Sequence, residues 1–250
     1  YMAVYAGNIF EKTPIDEVKA LAEKGDATAM LEYGERLFQG NGVEENTEEG
    51  LKWIIKAGEN GKGEAFYDLG VAYMNEMGVK KDFPTAIKYF EKGALLKNAD
   101  CMTSLGLIYQ AGARIDSSLQ ANPEEAVKWY KQAAELNHLE AIQHLAMMYA
   151  MGMGVPKFEA EAIKWFQKGC ELGSWEMMWG YGQCFQDGKG VKKDLVQAYA
   201  LMSASAGFAE HPTQKKGMTE HLEKLAKELS AEQLKAAEKL SNEWKAKVRE

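Results

Sequence analysis

Apolar and small side chains recur along this chain with the spacing of one helical face. Counted from Gly50, Ala86, Ala126 or Ala162 as position zero, they fall at positions 0, 3, 4, 7 and 8. That spacing places them on one stripe of a helix with about 3.6 residues per turn. The pattern predicts four amphipathic helices, called the A helices, and a less regular fifth one at Ala198.

A second apolar segment, with a small residue at its centre, lies between successive A helices. The small residues are Gly34, Gly70, Gly106, Ala146 and Gly182, at intervals of 36, 36, 40 and 36 positions. A glycine within a helix costs about 1 kcal/mol relative to alanine, so its recurrence needs a compensating reason. Because one repeat has alanine instead, we expect the reason to be the small size of the side chain at this position. The segments predict a second set of helices, the B helices, that closely approach their neighbours.

A turn rich in glycine follows most B helices. It reads Gly40-Asn-Gly42-Val43, Met77-Gly78-Val79, Gly152-Met-Gly154-Val155 and Gly188-Lys-Gly190-Val191. Glycine supplies the positive φ with which a helix stops and reverses. The third repeat has Ala113-Arg114-Ile115 instead, and residues 116–122 hold four extra residues before Pro123 begins a helix at its first position. This segment predicts a surface loop, and a loop that contacts a partner is the alternative.

The two ends differ from the repeating middle. We predict an amino-terminal extension over residues 1–14, an array of five to six repeats over 15–210, and carboxy-terminal capping helices over 211–250. The first helix presents Val18, Leu21 and Ala22 and closes at Gly25. At the other end, His211-Pro212 breaks the pattern before helices at 218–229 and 230–248. The second of these opens with a capping box, Ser230 to Gln233. We expect the exposed core to be sealed by Leu225, Leu229, Leu234, Leu240 and Trp244.

A period of this length predicts an all-α solenoid, because each repeat buries its apolar face only against its neighbours. We expect one elongated domain built from antiparallel helix pairs. The aromatic row Trp53, Tyr89, Trp129 and Trp165 lies on the apolar stripe and is expected to form a buried spine. Most of the 13 methionines are expected to fill the core between repeats.

The charge balance is acidic, with a formal net charge of −7 and a sequence pI of 5.4. This argues against a general nucleic-acid binder, which needs an excess of lysine and arginine on one face. No window reaches the length of a membrane span. Since the chain opens on Tyr1, we leave its compartment open: periplasmic or secreted if a leader was removed, and otherwise cytoplasmic.

Three motifs together resemble Sel1-like repeats: the A-helix pattern Ala-x-Lys-Trp/Tyr-Phe/Tyr, the B-helix pattern Leu-Gly-x-x-Tyr and the Gly-x-Gly-Val turn. The resemblance covers residues 15 to 210 and implies a right-handed superhelix of antiparallel helix pairs that works in protein–protein contact. It also implies roles in the bacterial envelope or in immunity against toxic effectors. A cysteine-rich branch of this family is linked to penicillin binding and weak β-lactamase activity.

That branch joins each helical hairpin by two cysteines, and this sequence lacks the pairs. Cys170 has Met178 where its partner would stand, and Cys101 has Gly93. With Cys184, the chain has an odd number of cysteines, so at least one is free of any intramolecular bridge, and we expect all three to be buried thiols.

No enzyme signature stands out. No serine is followed by lysine three residues later, as in the Ser-x-x-Lys acylation motif, and no His-Glu-x-x-His or phosphate loop occurs. The four histidines, His138, His144, His211 and His221, lack metal-site spacing. We therefore predict no catalytic residue, no metal and no cofactor.

The candidate binding residues are lysines on the A helices. Lys52, Lys88, Lys128 and Lys164 share one helix position, and Lys56, Lys92 and Lys168 follow one turn later. If the A helices line the concave side, these residues form a basic band that steers an acidic partner. The alternative is a solvated face, since Glu48 and Glu124 stand four residues before Lys52 and Lys128.

The sequence thus predicts a non-enzymatic scaffold, expected to be monomeric, that binds a protein partner through its concave surface. The partner is expected to present an acidic surface or to be a toxin or effector. A penicillin-binding or β-lactamase-like hydrolase is the alternative.

Overall fold

Every regular element is helical in the computed structural model, which describes residues 9–10 and 12–249. This confirms the predicted all-α class. The α-helices of this part of the chain are α1 (Ile15–Glu23), α2 (Ala27–Gln39), α3 (Thr47–Glu59), α4 (Gly63–Asn75), α5 (Phe83–Leu95), α6 (Ala99–Ala111), α7 (Pro123–Glu135), α8 (Leu139–Met151), α9 (Glu159–Glu171), α10 (Trp175–Asp187), α11 (Leu195–Ala206), α12 (Pro212–Ala226) and α13 (Ala231–Arg249). A 3-10 turn, Gly112–Arg114, follows α6.

The A helices are α3, α5, α7, α9 and α11, and the B helices are α2, α4, α6, α8 and α10. The chain divides into two compact units, Tyr1–Asn122 (unit 1) and Pro123–Glu250 (unit 2). The division falls at the end of the 116–122 loop, which has no helix in the structure. Within residues 9–10 and 12–249, no helix is long and apolar enough to cross a membrane.

The predicted apolar stripe is the buried face of the A helices. In α3, the residues at positions 0, 3, 4, 7 and 8 are all buried: Gly50, Trp53, Ile54, Ala57 and Gly58. Of these, Trp53, Ile54 and Ala57 form part of one hydrophobic cluster in unit 1, together with Phe66 and Leu69 of α4. The helices therefore owe their stability to this packing more than to intrinsic propensity.

In α2, α4 and α10 the small residue closely approaches the A helix that follows, as the sequence predicted for a position limited by size. A Cβ atom on Gly70 would overlap the ring of Phe90. A Cβ atom on Gly182 would lie 2.7 Å from Met202 Cγ and 3.0 Å from the Ala198 carbonyl oxygen. A methyl group at either position therefore requires the neighbouring helix to shift.

The second glycine of the turn also touches the start of an A helix. Gly154 and Gly190 have φ of 68° and 71°. A Cβ atom on Gly154 would overlap the Pro123 carbonyl group, and one on Gly190 would lie 2.7 Å from the Glu159 carbonyl oxygen. These glycines are required for their conformation and for space at once.

The start of the described chain is held by a buried arginine of α2. Arg36 Nε donates to Glu32 Oε1 at 2.5 Å, and Arg36 Nη1 donates to the Thr13 carbonyl oxygen at 2.7 Å. A further guanidinium nitrogen donates to the Phe10 carbonyl oxygen. Most of the predicted extension, 1–8 and 11, lies outside the described residues, and α1 begins at Ile15 with Val18 and Ala22 buried, as expected.

Unit 2 encloses its last A helix. Helix α11 packs against α10, α12 and α13 and buries Ala198, Ala200, Leu201, Met202 and Ala204. Its many alanines let three neighbours approach closely, which explains why α11 lacks the amphipathic pattern of the other A helices.

The predicted start of the first capping helix, at residue 218, is wrong. Helix α12 begins at Pro212, because proline is favourable at the first helical positions. The capping box is confirmed: Ser230 N donates to Gln233 Oε1 at 2.9 Å, and Gln233 N donates to Ser230 Oγ at 3.2 Å. Of the predicted sealing residues only Leu225 is fully buried, while Ala237 and Ser241 of α13 are the buried positions that sequence reasoning missed.

Candidate partner-binding face

Four exposed lysines stand at the same position of successive A helices, and we call them the front lysines: Lys52 and Lys88 in unit 1, Lys128 and Lys164 in unit 2. The side chains of Lys52, Lys128 and Lys164 are 57%, 68% and 71% exposed. Their surroundings decide whether they are available to a partner.

Three front lysines pair with a glutamate in the first turn of their own helix. The Nζ–Oε distances are 2.8 Å for Lys52 to Glu48, 2.8 Å for Lys128 to Glu125 and 2.7 Å for Lys164 to Glu161. Lys128 thus pairs with Glu125 rather than with Glu124 as the spacing suggested. The hydrogen bond that each ammonium group donates to its carboxylate raises the pKa of Lys52 and of Lys128. Exposed pairs of this kind contribute at most about 1 kcal/mol, so a partner carboxylate can replace them.

The lysines one turn later are held against aromatic rings. Lys56 Nζ lies 4.1 Å from the ring centroid of Trp53, and Lys92 Nζ lies 5.5 Å from that of Tyr89. Lys168 Nζ lies 5.4 Å from the Trp165 ring and donates to the Ala134 carbonyl oxygen at 2.7 Å. These distances are typical of cation–π contacts. This second row is therefore engaged within its own unit more fully than the front lysines are.

The prediction of a fully buried aromatic spine is wrong for most of its members. Trp53 is 9% exposed, but Tyr89, Trp129 and Trp165 are half-buried. Within the described chain, the buried indole Nε1 atoms of Trp129 and Trp165 have no hydrogen-bond partner.

Most of the methionines in the described part of the chain are buried, as expected. Met148, Met177 and Met178 are buried, whereas Met147 and Met151 of α8 are 37% and 61% exposed. Both stand at positions of α8 for which the B-helix pattern Leu-Gly-x-x-Tyr specifies no residue type.

Two carboxyl groups share the space between the B helices α2 and α4. Asp68 is 1% exposed, and neither Glu35 Oε1 nor Asp68 Oδ2 has a hydrogen-bond donor among the described residues. Burial, with the nearby charge of Glu35, raises the pKa of Asp68 to about 9, and burial raises that of Glu35 to about 7. A proton on one carboxyl lets it donate to the other. Sequence reasoning missed this pair because the two residues occupy different positions of their repeats.

The cysteines are free thiols. Cys101 and Cys170 are buried, and burial raises the pKa of both. Cys184 is only half-buried, which contradicts the expectation that all three are buried.

The histidines lie apart from any cluster of metal ligands. No group of three or more His, Cys, Asp or Glu side chains that suits a metal ion occurs in the described part of the chain. The His144 ring stacks on Tyr130 with centroids 4.8 Å apart, and burial lowers its pKa. His221 Nε2 lies 2.9 Å from Gln186 Oε1.

Two threonines stand three residues before a lysine, at the spacing of an acylation motif: Thr85 before Lys88 and Thr213 before Lys216. Thr85 Oγ1 donates to Asp82 Oδ2 at 2.5 Å in the first turn of α5, and Thr213 is exposed on α12. Thr85 therefore serves the helix start, and both lysines are exposed to solvent.

Comparison with known proteins agrees with this architecture. The family model described as Sel1 repeat matches residues 27–62, 63–98, 99–138, 139–174 and 175–206. Each match begins at a B helix and ends after the following A helix, so the repeat is the pair whose glycine contact is described above.

Two solved structures share the fold. A protective antigen of uropathogenic Escherichia coli strains, c5321, is 28% identical with a TM-score of 0.75 and covers 94% of this chain, which in turn spans 48% of that protein. A Sel1 repeat protein from Oxalobacter formigenes is 25% identical with a TM-score of 0.69, and the alignment covers 80% of this chain and 84% of that one.

Among curated proteins, an F-box protein of Arabidopsis thaliana, At1g70590, is 29% identical over 143 residues, which are 57% of this chain and 37% of the plant protein. Chitin synthase regulatory factor 4 of Schizosaccharomyces pombe is 30% identical over 147 residues, 55% of this chain and 22% of the yeast protein. The chain thus spans less than half the length of either relative. With five matched repeats and the helix pairs that they predict, this chain belongs to the Sel1-repeat family.

Proposed function

We propose that this protein is a non-enzymatic scaffold that binds a protein partner through the exposed face of its A helices. The observation that supports this is the recurrence of an exposed front lysine in four successive A helices, next to half-buried aromatic rings in three of them. Each compact unit contributes two front lysines, so each presents the same chemistry.

The face suits an acidic protein surface. Although the chain has a net charge of −7, each unit exposes two front lysines, and a partner carboxylate can replace the glutamates that pair with three of them. Such a patch steers an acidic partner and disfavours basic ones. The half-exposed rings of Tyr89, Trp129 and Trp165 add apolar contact area, which aromatic residues supply at many interfaces.

The test replaces Lys52, Lys88, Lys128 and Lys164 together with glutamate. We expect capture of the native partner in a pull-down to be lost while the far-ultraviolet circular dichroism spectrum stays unchanged. The matched control replaces four exposed lysines away from the A helices, namely Lys24, Lys193, Lys235 and Lys239, with the same change of charge. Unchanged capture by the first variant, or equal loss in both, contradicts the proposal.

A direct assay addresses the hydrolase alternative. The free cysteines lack the paired arrangement of the cysteine-rich branch, and no structural observation favours hydrolysis. Incubation with a chromogenic β-lactam and a labelled penicillin is expected to give neither turnover nor covalent labelling, and either result would overturn the scaffold proposal. A role as envelope adaptor or immunity protein rests on the family resemblance, and identification of the captured partner by mass spectrometry tests it.

A further inference from the structure

Unit 2 contains a cleft of about 370 Å³ between the start of α10 and the first turns of α12. Its lining residues are Trp175, Glu176, Trp179, Thr213, Gln214, Gly217 and Met218. This volume lies within the range typical of small-ligand and side-chain pockets. None of the front lysines lines the cleft.

Two tryptophans form its apolar wall, and both are held in place from behind. Trp175 and Trp179 both pack against the hydrophobic cluster of Ala206, Ala209 and Met218. The Trp179 ring also meets the His221 ring edge-on, with centroids 5.5 Å apart. Both indoles are half-buried, so each keeps an exposed part.

This pair of tryptophans is peculiar to the last B helix. In the other B helices the equivalent positions hold Ala27 and Leu31, Gly63 and Tyr67, Ala99 and Thr103, and Leu139 and Gln143. The repeat pattern therefore does not demand indoles here.

Gly217 opens the opposite wall. It lies in the interior of α12, where glycine costs about 1 kcal/mol relative to alanine. A Cβ atom on Gly217 would meet nothing within 4 Å, so close packing does not explain the glycine. Its effect is to leave the space in front of the two indoles free.

The lining contains one charged residue, Glu176. Ser174 Oγ donates to Glu176 Oε2 at 3.0 Å and accepts from Met177 N at 3.3 Å. The helix cap thus fixes the carboxylate beside Trp175. The neighbouring Lys215 and Lys216 of α12 are exposed and do not line the cleft.

We propose that this cleft binds an arginine side chain of a partner protein. A guanidinium group stacks on indole faces and pairs with a carboxylate through two hydrogen bonds, and its apolar stem packs on the remaining ring surface. The single negative charge of the lining selects a cation. The protein thereby has two binding sites of opposite charge preference: the lysine face for acidic groups and this cleft for a cation.

The test follows the indole N–H resonances of Trp175 and Trp179 during titration with a blocked Gly-Arg-Gly peptide. We expect both resonances to shift at millimolar peptide, with clearly weaker binding of the isosteric citrulline peptide. The Glu176→Gln variant is expected to weaken binding about fivefold, as loss of an exposed charge pair does. Glu140→Gln is the matched control, because Glu140 occupies the same position of α8 without the tryptophans. Gly217→Leu is expected to abolish binding by filling the cleft.

Equal binding of the arginine and citrulline peptides would overturn the proposal and assign the cleft to uncharged ligands. Absence of any shift in the two indole resonances would also overturn it, as would equal effects of Glu176→Gln and Glu140→Gln. The variant with all four front lysines replaced is expected to bind the arginine peptide normally. The proposal for this cleft can therefore be wrong while that for the lysine face is right, and the reverse.

Discussion

The carbonyl oxygen of Gly50 lies 2.8 Å from the place where a Cβ atom on Gly34 would stand, and the carbonyl oxygen of Gly34 lies 2.7 Å from the corresponding place on Gly50. The backbones of α2 and α3 are therefore in direct contact. In the fourth repeat, buried Ala146 and Ala162 hold the two equivalent positions, so that helix pair accommodates a methyl group at each of them.

Gly34→Ala and Gly50→Ala are expected to destabilise unit 1, because the added methyl group meets backbone atoms rather than a flexible side chain. Overpacking of this kind costs about 1–3 kcal/mol. Urea unfolding followed by circular dichroism measures the change. Gly217→Ala is the control: with open space around it, it is expected to be neutral or to stabilise by up to about 1 kcal/mol. Equal effects in the three variants would contradict the close-contact explanation.

The turn glycines offer a second matched pair. Gly42 and Gly154 occupy the same place in the Gly-x-Gly-Val turn, with φ of 72° and 68°. A Cβ atom on Gly42 meets nothing within 4 Å, whereas one on Gly154 overlaps Pro123. Gly42→Ala is expected to cost about 1 kcal/mol for its left-handed conformation, and Gly154→Ala clearly more. Thermal unfolding of each variant checks this, and a larger loss for Gly42→Ala would contradict it.

The period and size of these contacts were predictable from the sequence, because a recurring glycine has few explanations inside a helix. The start of α12 was not. In the sequence, His211-Pro212 indicates a break in the repeat pattern, but proline is also favourable where a helix begins. The degree of burial of Trp129 and Trp165 was also missed, because helical periodicity gives the direction of a side chain but not how much of it a neighbour covers.

The stability of unit 1 is expected to fall as pH rises. The pKa of Glu35, about 7, and that of Asp68, about 9, lie above their ordinary values of 4.5 and 3.8, so deprotonation favours the unfolded chain. The stabilisation is complete below the ordinary values and is lost as pH rises through about 7 and 9. Nearby Glu64 and Asp100 act in the same direction on Asp68.

Chemical unfolding between about pH 5 and pH 9 measures this dependence, and a loss of a few kcal/mol is expected. The double variant Glu35→Gln, Asp68→Asn is expected to flatten the profile and to be more stable than the parent at high pH. Glu91→Gln, an exposed carboxyl of α5, is expected to leave the profile unchanged. A flat profile in the parent protein would rule out the shared proton.

Thiol reactivity is expected to separate the three cysteines. The half-buried Cys184 reacts with an aromatic disulfide reagent in the folded protein, while buried Cys101 and Cys170 react only as the chain opens, because burial disfavours their thiolates. Cys184→Ser should remove the fast phase of thiol titration. A fast phase that persists in this variant would show that one of the other two thiols is accessible.

The acidic pair and the tryptophan cleft could not be predicted from the repeat pattern. Both arise from residues that depart from it: Glu35 and Asp68 stand at different positions of neighbouring repeats, and Trp175 and Trp179 face a helix outside the array. The pKa values of the acidic pair and the ligand preference of the cleft depend on which neighbouring residues cover them. A 36-residue period gives no information about residues that occur in one repeat only.

The contact that Gly78, Gly154 and Gly190 each make with the start of an A helix limits how the chain can change in length. Gly78 and Thr47, Gly154 and Pro123, and Gly190 and Glu159 are each 31 positions apart in the sequence and touch in the structure. An insertion inside such an interval would pull the turn away from its contact. In the third repeat, the corresponding interval runs from Phe83, the first residue of α5, to Arg114. The four extra residues lie after Arg114 and before Pro123, so they fall outside all of these 31-residue intervals. Gain or loss of a whole repeat keeps these distances, and evolution of such an array is therefore free in repeat number but constrained in where a single residue is added.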